Sequence, residues 1–457
     1  MKRDIHPILK EIASIFTNNG KEIYLVGGAV RDMLLGKKIH DWDLTTNALP
    51  EEVTEIIRRA GGKVIPTGIK HGTVTVLYKN QSAEITTFRT ESDYIDGRRP
   101  DKVSYAASIE EDLSRRDFTM NAIALRLPAG EIVDPFGGEK DIKAKIIRCV
   151  GNPLERFNED GLRPMRAVRF ASQLGFKIEN STLDVIPGTL EICAKVSWER
   201  VRDEVDKILS SEKPSLGFHL MEKTGLLNLF IPELSTCRGI EQKGFHDFDV
   251  LDHSLLACDY AAMKNYSNEV RLASLFHDIG KPQVREMDAS GIHAVWTFYR
   301  HEEVSAEICR KVMTRLRYPN NVIDSVCHLV KEHMFFYTDD WTDAAVRRFI
   351  ARVGEVNLQD IYRIRRCDVY GFSGKEPHAR FLTDFIERIE TVLAGGRALT
   401  LKDLAVSGND LMSIGIPSGK KMGMILNELL ETVLDDPEQN TRETLLKIAN
   451  RIYIERA

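Results

Sequence analysis

The sequence predicts an α+β amino-terminal region, a mixed sheet with helices, followed by mostly α-helical regions. Two observations about pattern carry this. Up to about residue 150, short β-rich runs alternate with helical patterns. From Asp160 onward almost every pattern is helical, broken at points such as Lys213-Pro214 and Ile231-Pro232. The third observation is length. A chain of 457 residues exceeds one ordinary core and calls for about two to four domains.

The strand runs are "EIYLVGG", "GTVTVLY", "AEITTF" and "NAIALRL". Between the first two, "LPEEVTEIIRRAGG" has the spacing of an amphipathic helix that stops at Gly61-Gly62. Strand signals fade after "DPFGG" (134–138). "GIEQKGFHD" (239–247) marks a boundary, because histidines become frequent just after it, and "AGGRALT" (394–400) marks another. The expected domains are 1–150, 151–238, 239–393 and 394–457. The sequence shows no internal repeat and no low-complexity tract.

Composition narrows the class. With 43% apolar and 29% charged residues, the chain can bury sizeable cores. Its net charge of −5 means that a polyanionic partner must be met by a local basic patch. Seven cysteines, odd in number and without paired spacing, fit a reducing compartment. No apolar run is long enough to span a membrane, and Met1 opens no secretory signal, so a cytoplasmic location is expected.

The chemistry concentrates in "LVGGAVRDMLLGKKIHDWDL" (25–44). Residues i and i+2 of a strand share a face, so Asp41 and Asp43 are expected to present two carboxylates on one side. Like charges that close repel unless a cation lies between them. Mg²⁺ fits, since it prefers oxygen ligands and keeps open positions for phosphates. A third carboxylate would hold two metals about 3.5–4 Å apart, and Glu84 in "AEITTF" is the candidate. Gly27 and Gly28 let backbone amides approach a phosphate. Arg31, followed by Asp32, adds a cation for the same phosphate. Together these residue types point to nucleotidyl transfer from a nucleoside triphosphate.

On these residues the chain resembles the class II tRNA nucleotidyltransferases. That family builds and repairs the 3′ CCA end of tRNA and belongs to the DNA polymerase beta-type superfamily. Bacterial poly(A) polymerases are close relatives. "GGAVRD…DWD" matches the family's metal and triphosphate motif. "RRDFTMNAIA" (115–124) matches a second motif, which implies that Arg116, Asp117 and Asn121 contact triphosphate and ribose. "DPFGG" matches the hinge between head and neck. "EDGLRPMRAVRFASQLGF" (159–176) matches the nucleotide-selecting helix, and "ERVRDEVDKIL" (199–209) a supporting neck helix. The resemblance covers residues 20–210 closely.

Asp160 and Arg163 are three apart, the spacing of helical neighbours. Arginine carries only donors and ionised aspartate only acceptors, so a fixed pair can read the Watson–Crick edge of cytosine or adenine. In the family this pair selects CTP and ATP without a template. Arg166 and Arg169 continue the spacing and are expected to reach phosphates, opposite a core face of Leu162, Val168 and Phe170. Pro164 departs from the apolar residue of many relatives. Proline favours a first helical turn, which would start the helix near Leu162 and leave Asp160 at its N-terminus. "ESDYIDGRRPDKV" (91–103) corresponds to the family's flexible loop, which helps the switch from C to A addition.

A second group of motifs follows: "LDHSLLACDYA" (251–261), "LASLFHDIGKP" (272–282), "YRHEEVSAEICRKV" (299–312) and "LVKEHMFF" (329–336). Imidazole and carboxylate groups on neighbouring helices suit a transition metal or a binuclear site. The order resembles the HD phosphohydrolase superfamily. That implies His253, His277, Asp278 and Asp368 as core ligands, with His301 and His333 completing a second position. His246-Asp247 also reads "HD" but lies in the expected linker, a poor place for a ligand. Near the end, Gly415, Gly419 and Gly423 surround Lys420 and Lys421 ahead of an amphipathic helix. A glycine-rich turn with lysines can hold tRNA phosphates; a packing element with solvated lysines has the same pattern.

The expected activity is template-independent addition of CCA to tRNA from CTP and ATP with Mg²⁺. The alternatives are an A-adding enzyme, a poly(A) polymerase, and an HD metal phosphohydrolase whose amino-terminal domain senses nucleotide. A pure RNA-binding protein fits less well with the density of carboxylates. The partners are tRNA and nucleotides, with no membrane. The sequence does not set the oligomeric state.

Overall fold

The computed structural model describes residues 5–39, 41–69, 72–92, 102–242, 248–288, 295–376, 380–395 and 399–456. The chain divides into two compact units. One is Met1–Ser235 with Arg315–Tyr318, and the other is Thr236–Thr314 with Pro319–Ala457. Residues 93–101, most of the expected loop, and His246-Asp247 lie outside the described residues.

The first unit carries strands β1 (Ile23–Val26), β2 (Asp43–Thr46), β3 (Lys63–Gly68), β4 (Thr73–Tyr78), β5 (Gln81–Thr87), β6 (Arg89–Ser92), β7 (Lys102–Tyr105), β8 (Ala124–Arg126) and β9 (Glu131–Val133). Seven of them form one mixed sheet in the order β3-β4-β5-β2-β1-β8-β9. The β2–β5 pair is parallel and the other pairs of this sheet are antiparallel. The helices that build the site are α1 (Pro7–Asn18), α2 (Gly28–Leu34), α3 (Pro50–Arg59), α4 (Ile109–Ser114), α5 (Gly138–Ala144), α6 (Pro153–Glu159), α7 (Arg163–Leu174) and α8 (Trp198–Leu209). α3 shows how local chemistry sets an element. Pro50 opens it, Glu52 accepts from the Leu49 amide at 2.8 Å, and Arg58 and Arg59 sit in its last turn, where the helix dipole favours cations. Its apolar stripe of Val53, Ile56 and Ile57 is buried. Tyr24, Val26, Phe88, Leu113 and Ala124 share a core under the sheet.

Two local expectations are corrected. β2 begins at Asp43, and Asp41 lies in a bend before it. The reason is that β1 ends at Val26, where Gly27 adopts φ +68° and turns the chain into α2. In the β1 register Asp41 would stand opposite Gly28, which already belongs to α2. Asp160 is not on the nucleotide-selecting helix either. It takes an extended conformation (φ −142°, ψ 108°) between α6 and α7, and α7 starts at Arg163 with Pro164 in its first turn. This agrees with the start that Pro164 implies. Gly161 makes the break possible, because a Cβ there would lie 2.4 Å from the Ile192 carbonyl oxygen.

The second unit is mainly helical. It includes α9 (Val250–Met263), α10 (Asn268–Phe276), α11 (His301–Arg315), α12 (Asn320–Glu332), α13 (Leu358–Ser373), α14 (Lys420–Asp435) and α15 (Arg442–Glu455). α9 packs along α10 and α13. α14 and α15 bury Ile425, Leu429, Val433, Leu445 and Ala449 together with Leu411.

The Gly161 contact yields a prediction. Gly161→Ala forces backbone apart and should lower unfolding stability by about 1–3 kcal/mol, measured by urea denaturation. An unchanged midpoint would show that the α6–α7 break does not depend on this close approach.

Candidate functional site

A cavity of about 570 Å³ opens on the first unit, a size suited to a small-molecule ligand. Its floor includes the amino-terminal end of the parallel pair. Asp43 and Glu84 are register partners on β2 and β5. Along β5, Ala83 and Ile85 are buried while Glu84 and Thr86 face the cavity, the alternation of a pleated strand. Desolvation by the walls, together with Glu84 and Asp41, pushes the Asp43 pKa up, against a lowering pull from Arg116. Hard oxygen donors crowded this way fit a divalent cation. Asp41 and Asp32 are not among the lining residues. Asp32 instead orients Arg31, at 2.8 Å from its Nη2.

Gly27 and Gly28 line the cavity at the start of α2. A Cβ on Gly27 would lie 2.8 Å from Arg116 Nη1, so the glycine lets that guanidinium approach the turn. Arg31 donates from Nη1 to Asn121 Oδ1 at 2.9 Å. Asp117 is buried and accepts from Asn121 Nδ2 at 3.1 Å and from Arg166 Nε at 2.7 Å. Burial alone would raise its pKa, but Arg166 and Asn121 hold it down to about 2. These predicted residues therefore converge on one cavity.

Asp160 and Arg163 lie on its wall. The Arg163 amide donates to the Asp160 carbonyl at 2.9 Å, while the two side chains take other partners. Asp160 Oδ2 pairs with Arg200 Nη2 at 2.7 Å, and Oδ1 accepts from the Leu162 amide at 3.0 Å. Arg163 is buried; its Nη1 donates to Glu159 and, at 2.8 Å, to the Arg156 carbonyl, and its Nη2 donates to the Arg115 carbonyl at 3.1 Å. Arg169 is buried against Glu204 at 2.7 Å, and desolvation lowers its pKa to about 10. Phe170, expected in the core, is buried yet lines the cavity, with Arg31, Arg166 and Arg169 guanidiniums 5.1, 5.4 and 3.8 Å from its ring centre. Such cation–π contacts steady arginines that must stand close together.

Glu159, Arg115, Asp112 and Phe170 were not singled out as site residues by sequence. Glu159 carried a signal, since it stands four residues before Arg163, the spacing at which acid and base pair on a helix. Asp112 had the same relation to Arg115 and Arg116, and it bonds both, at 2.9 and 3.3 Å, while fully buried.

The second unit brings six predicted residues together, all buried: His253, His277, Asp278, His301, His333 and Asp368. His253 Nε2 lies 3.0 Å from His277 Nε2, and 3.2 Å from both Asp278 Oδ2 and Asp368 Oδ1. The other Asp278 oxygen, Oδ1, lies 3.1 Å from His301 Nε2 and 3.9 Å from His333 Nε2. His277, His301 and His333 each direct Nδ1 to the carbonyl three residues earlier, at 2.8, 2.9 and 2.6 Å. That fixes the tautomer and leaves Nε2 facing the cluster, the usual support of a metal-ligating histidine. Burial and neighbouring His277 pull His333 down to about 3, so its imidazole is neutral, as a ligand must be. Burial also disfavours charge on His277, but Asp278 and Asp368 outweigh it and push its pKa up to about 10. The cluster therefore attracts positive charge. Gly371 gives His253 its room, as a Cβ there would lie 2.7 Å from His253 Nδ1.

At the start of α14, Gly419 has φ +134°, Lys420 is exposed, and Lys421 stands 4.8 Å over the Tyr453 ring. Lys421 is thus a packing residue as well as a surface cation. None of the seven cysteines is in a disulfide, and all are buried. Among the described residues no helix is long and apolar enough to cross a membrane.

Comparison with known proteins was made against this geometry. The family described as "Poly A polymerase head domain" matches residues 23–148, and "Probable RNA and SrmB- binding site of polymerase A" matches 175–237. "tRNA nucleotidyltransferase domain 2 putative" matches residues 292–449. The CCA-adding enzyme of Enterococcus faecalis is 33% identical over 98% of this chain and 96% of its own length. The chain belongs to the CCA-adding enzyme family. The CCA-adding enzyme of Lactobacillus helveticus is 56% identical, over 41% of this chain and 46% of that relative, so this alignment spans less than half of either protein. Among solved structures, the Bacillus stearothermophilus CCA-adding enzyme in complex with CTP is 30% identical with a TM-score of 0.73, covering 99% of this chain and 100% of that one. The Thermotoga maritima CCA-adding enzyme complexed with tRNA shares the fold, with a TM-score of 0.57 at 20% identity over 99% of this chain and 97% of that one. As in other nucleotidyltransferases, a divalent metal is implied for the catalytic site.

Proposed function

We propose that this protein adds CCA to the 3′ end of tRNA from CTP and ATP, without a nucleic-acid template. The observation that carries this reading is the single cavity that Gly28, Arg31, Asp43 and Glu84 share with Asp160 and Arg163. One end of it suits a triphosphate and a cation, and the other offers a carboxylate and a guanidinium to a base edge.

The 3′ hydroxyl attacks the α-phosphate of the bound nucleotide and pyrophosphate leaves. Arg31 and Arg116 hold the triphosphate beside the Gly27–Gly28 turn. Asn121 and Asp117 orient Arg31 and Arg166. Asp160 accepts from the exocyclic amine that cytosine and adenine share, and Arg163 donates to the ring acceptor beside it. Uracil and guanine present the opposite pattern and leave a buried polar group unpaired, which is where discrimination is strongest. Asp41, Asp43 and Glu84 would hold Mg²⁺, which when bound lowers the pKa of the attacking hydroxyl and offsets charge on the leaving pyrophosphate. Lys420 at the start of α14 contributes to the grip on tRNA phosphates. Cysteines outside any disulfide fit action in the cytoplasm.

A second reading concerns the other unit. Four Nε2 atoms and two carboxylates converge, with Asp278 offering one oxygen to each half. We propose that His253, His277, Asp278 and Asp368 hold one transition-metal ion and that His301 and His333 complete a second position with Asp278. The donor set is nitrogen-rich, which favours a transition metal over Mg²⁺.

Three transcripts of one tRNA, ending at the discriminator base, at C and at CC, test the first reading. With Mg²⁺, CTP and ATP, all three should extend to CCA and stop, and Asp43→Ala should abolish extension. Extension of the CC-ending transcript alone would mean an A-adding enzyme, and long A tails a poly(A) polymerase. For the second reading, metal content per chain after reloading with Mn²⁺ or Zn²⁺ should fall to background in Asp278→Ala, while CCA addition persists. Loss of addition with unchanged metal content would assign Asp278 elsewhere.

A further inference from the structure

We infer that Arg156 is a positioning residue for base selection, because it fixes the place of the Arg163 guanidinium. The inference rests on the reading of Arg163 as a base-contacting group and extends it to a residue that touches no nucleotide.

Arg156 lies on α6, one helix before Arg163, and is not among the residues that line the cavity. Its side chain is only 15% exposed. Each of its three nitrogens meets a different part of the fold. Nε donates to the Val150 carbonyl at 3.2 Å, Nη2 to the Ser114 carbonyl at 2.9 Å, and Nη1 to Glu159 Oε2 at 2.8 Å. The same Glu159 oxygen accepts from Arg163. The backbone carbonyl of Arg156 accepts from Arg163 Nη1 at 2.8 Å. Arg156 therefore acts on Arg163 twice, through the carboxylate it shares and through its own peptide.

The partners on α4 matter as much. Arg156 is docked on the Ser114 carbonyl and Arg163 on the next one, that of Arg115. Arg116 follows directly and stands beside Gly27. Arg156 thus sets the base-reading guanidinium in register with the triphosphate-holding one. The planar fork carries its donors on three separate nitrogens and so spans acceptors that the compact point charge of an ammonium does not reach together. Without that fork, Glu159 is drawn to Arg163 alone, and the Ser114 and Val150 carbonyls lose a donor. The Arg163 guanidinium then shifts relative to the base edge. Discrimination between cytosine and uracil depends on donors and acceptors facing each other, so a displacement of about 1 Å changes rates by about 100-fold.

The test is the ratio of kcat/KM for CTP to that for UTP, on tRNA ending at the discriminator base. A ratio taken within one preparation does not depend on how much of the protein is folded. Arg156→Ala should lower it by about 10-fold or more, the effect of misplacing one charge-assisted hydrogen bond. Arg156→Lys keeps the charge but not the fork and should lower it too. Inhibition by pyrophosphate should be unchanged, because Asp112 and not Arg156 holds Arg116. Equal loss for both nucleotides with the ratio intact would overturn the inference and leave Arg156 merely structural. A wild-type protein that shows no preference for CTP over UTP would instead overturn the reading on which it rests.

Discussion

Among the described residues seven arginines line one cavity of about 570 Å³, and the arrangement depends on holding these like charges together. Two guanidiniums about 4 Å apart repel by on the order of 4 kcal/mol where water is partly excluded. The chain meets this with carboxylates set in and behind the cavity wall. Asp112 holds Arg115 and Arg116, Asp117 holds Arg166, Glu159 holds Arg163, and Glu204 holds Arg169. Phe170 adds an aromatic face that three guanidiniums approach. The acidic chain as a whole, at net charge −5, thereby presents a locally cationic wall without losing the fold that carries it. A polyphosphate entering that wall meets donors that are already oriented, so little reorganisation accompanies binding.

The sheet explains why the opposite sign lies beside this wall. β1 ends just before Gly27, whose positive φ turns the chain into α2 and bares amides and Arg31 at one end of the sheet. β2 begins at the same end, and its parallel pairing with β5 sets Glu84 next to Asp43. Anion-binding and cation-binding groups therefore share one edge because three strands end or begin there. The second unit uses a different device. Helices α9, α10, α11, α12 and α13 each bring ligand-type side chains to a buried point, and backbone carbonyls fix the imidazole tautomers.

Much of this was legible in the sequence because the groups that do chemistry are close together along the chain. Gly27, Gly28 and Arg31 stand in one turn, and Arg116, Asp117 and Asn121 in another. The early strand runs "EIYLVGG", "GTVTVLY" and "AEITTF" are strands in the structure. What spacing did not fix were the breaks. Asp41 falls outside β2 where β1, on one side of it, has already ended, and Asp160 falls outside α7 because Gly161 packs against Ile192 from a distant segment. Both outcomes depend on tertiary neighbours. The supporting carboxylates were hidden for a related reason. Glu204 finds Arg169 only through the packing of α8 on α7. In the second unit the order of histidines and aspartates pointed to a cluster, but which Asp278 oxygen faces which histidine is visible only in three dimensions.

The central claim is that two side chains, and no template, choose the incoming base. A crystal structure of this protein with CTP and a non-reactive metal tests it most directly. The account predicts the cytosine amine against Asp160, its ring nitrogen or carbonyl against Arg163, and the triphosphate beside Gly28, Arg31 and Arg116. A base turned away from Asp160 and Arg163, with the triphosphate still in place, would contradict it.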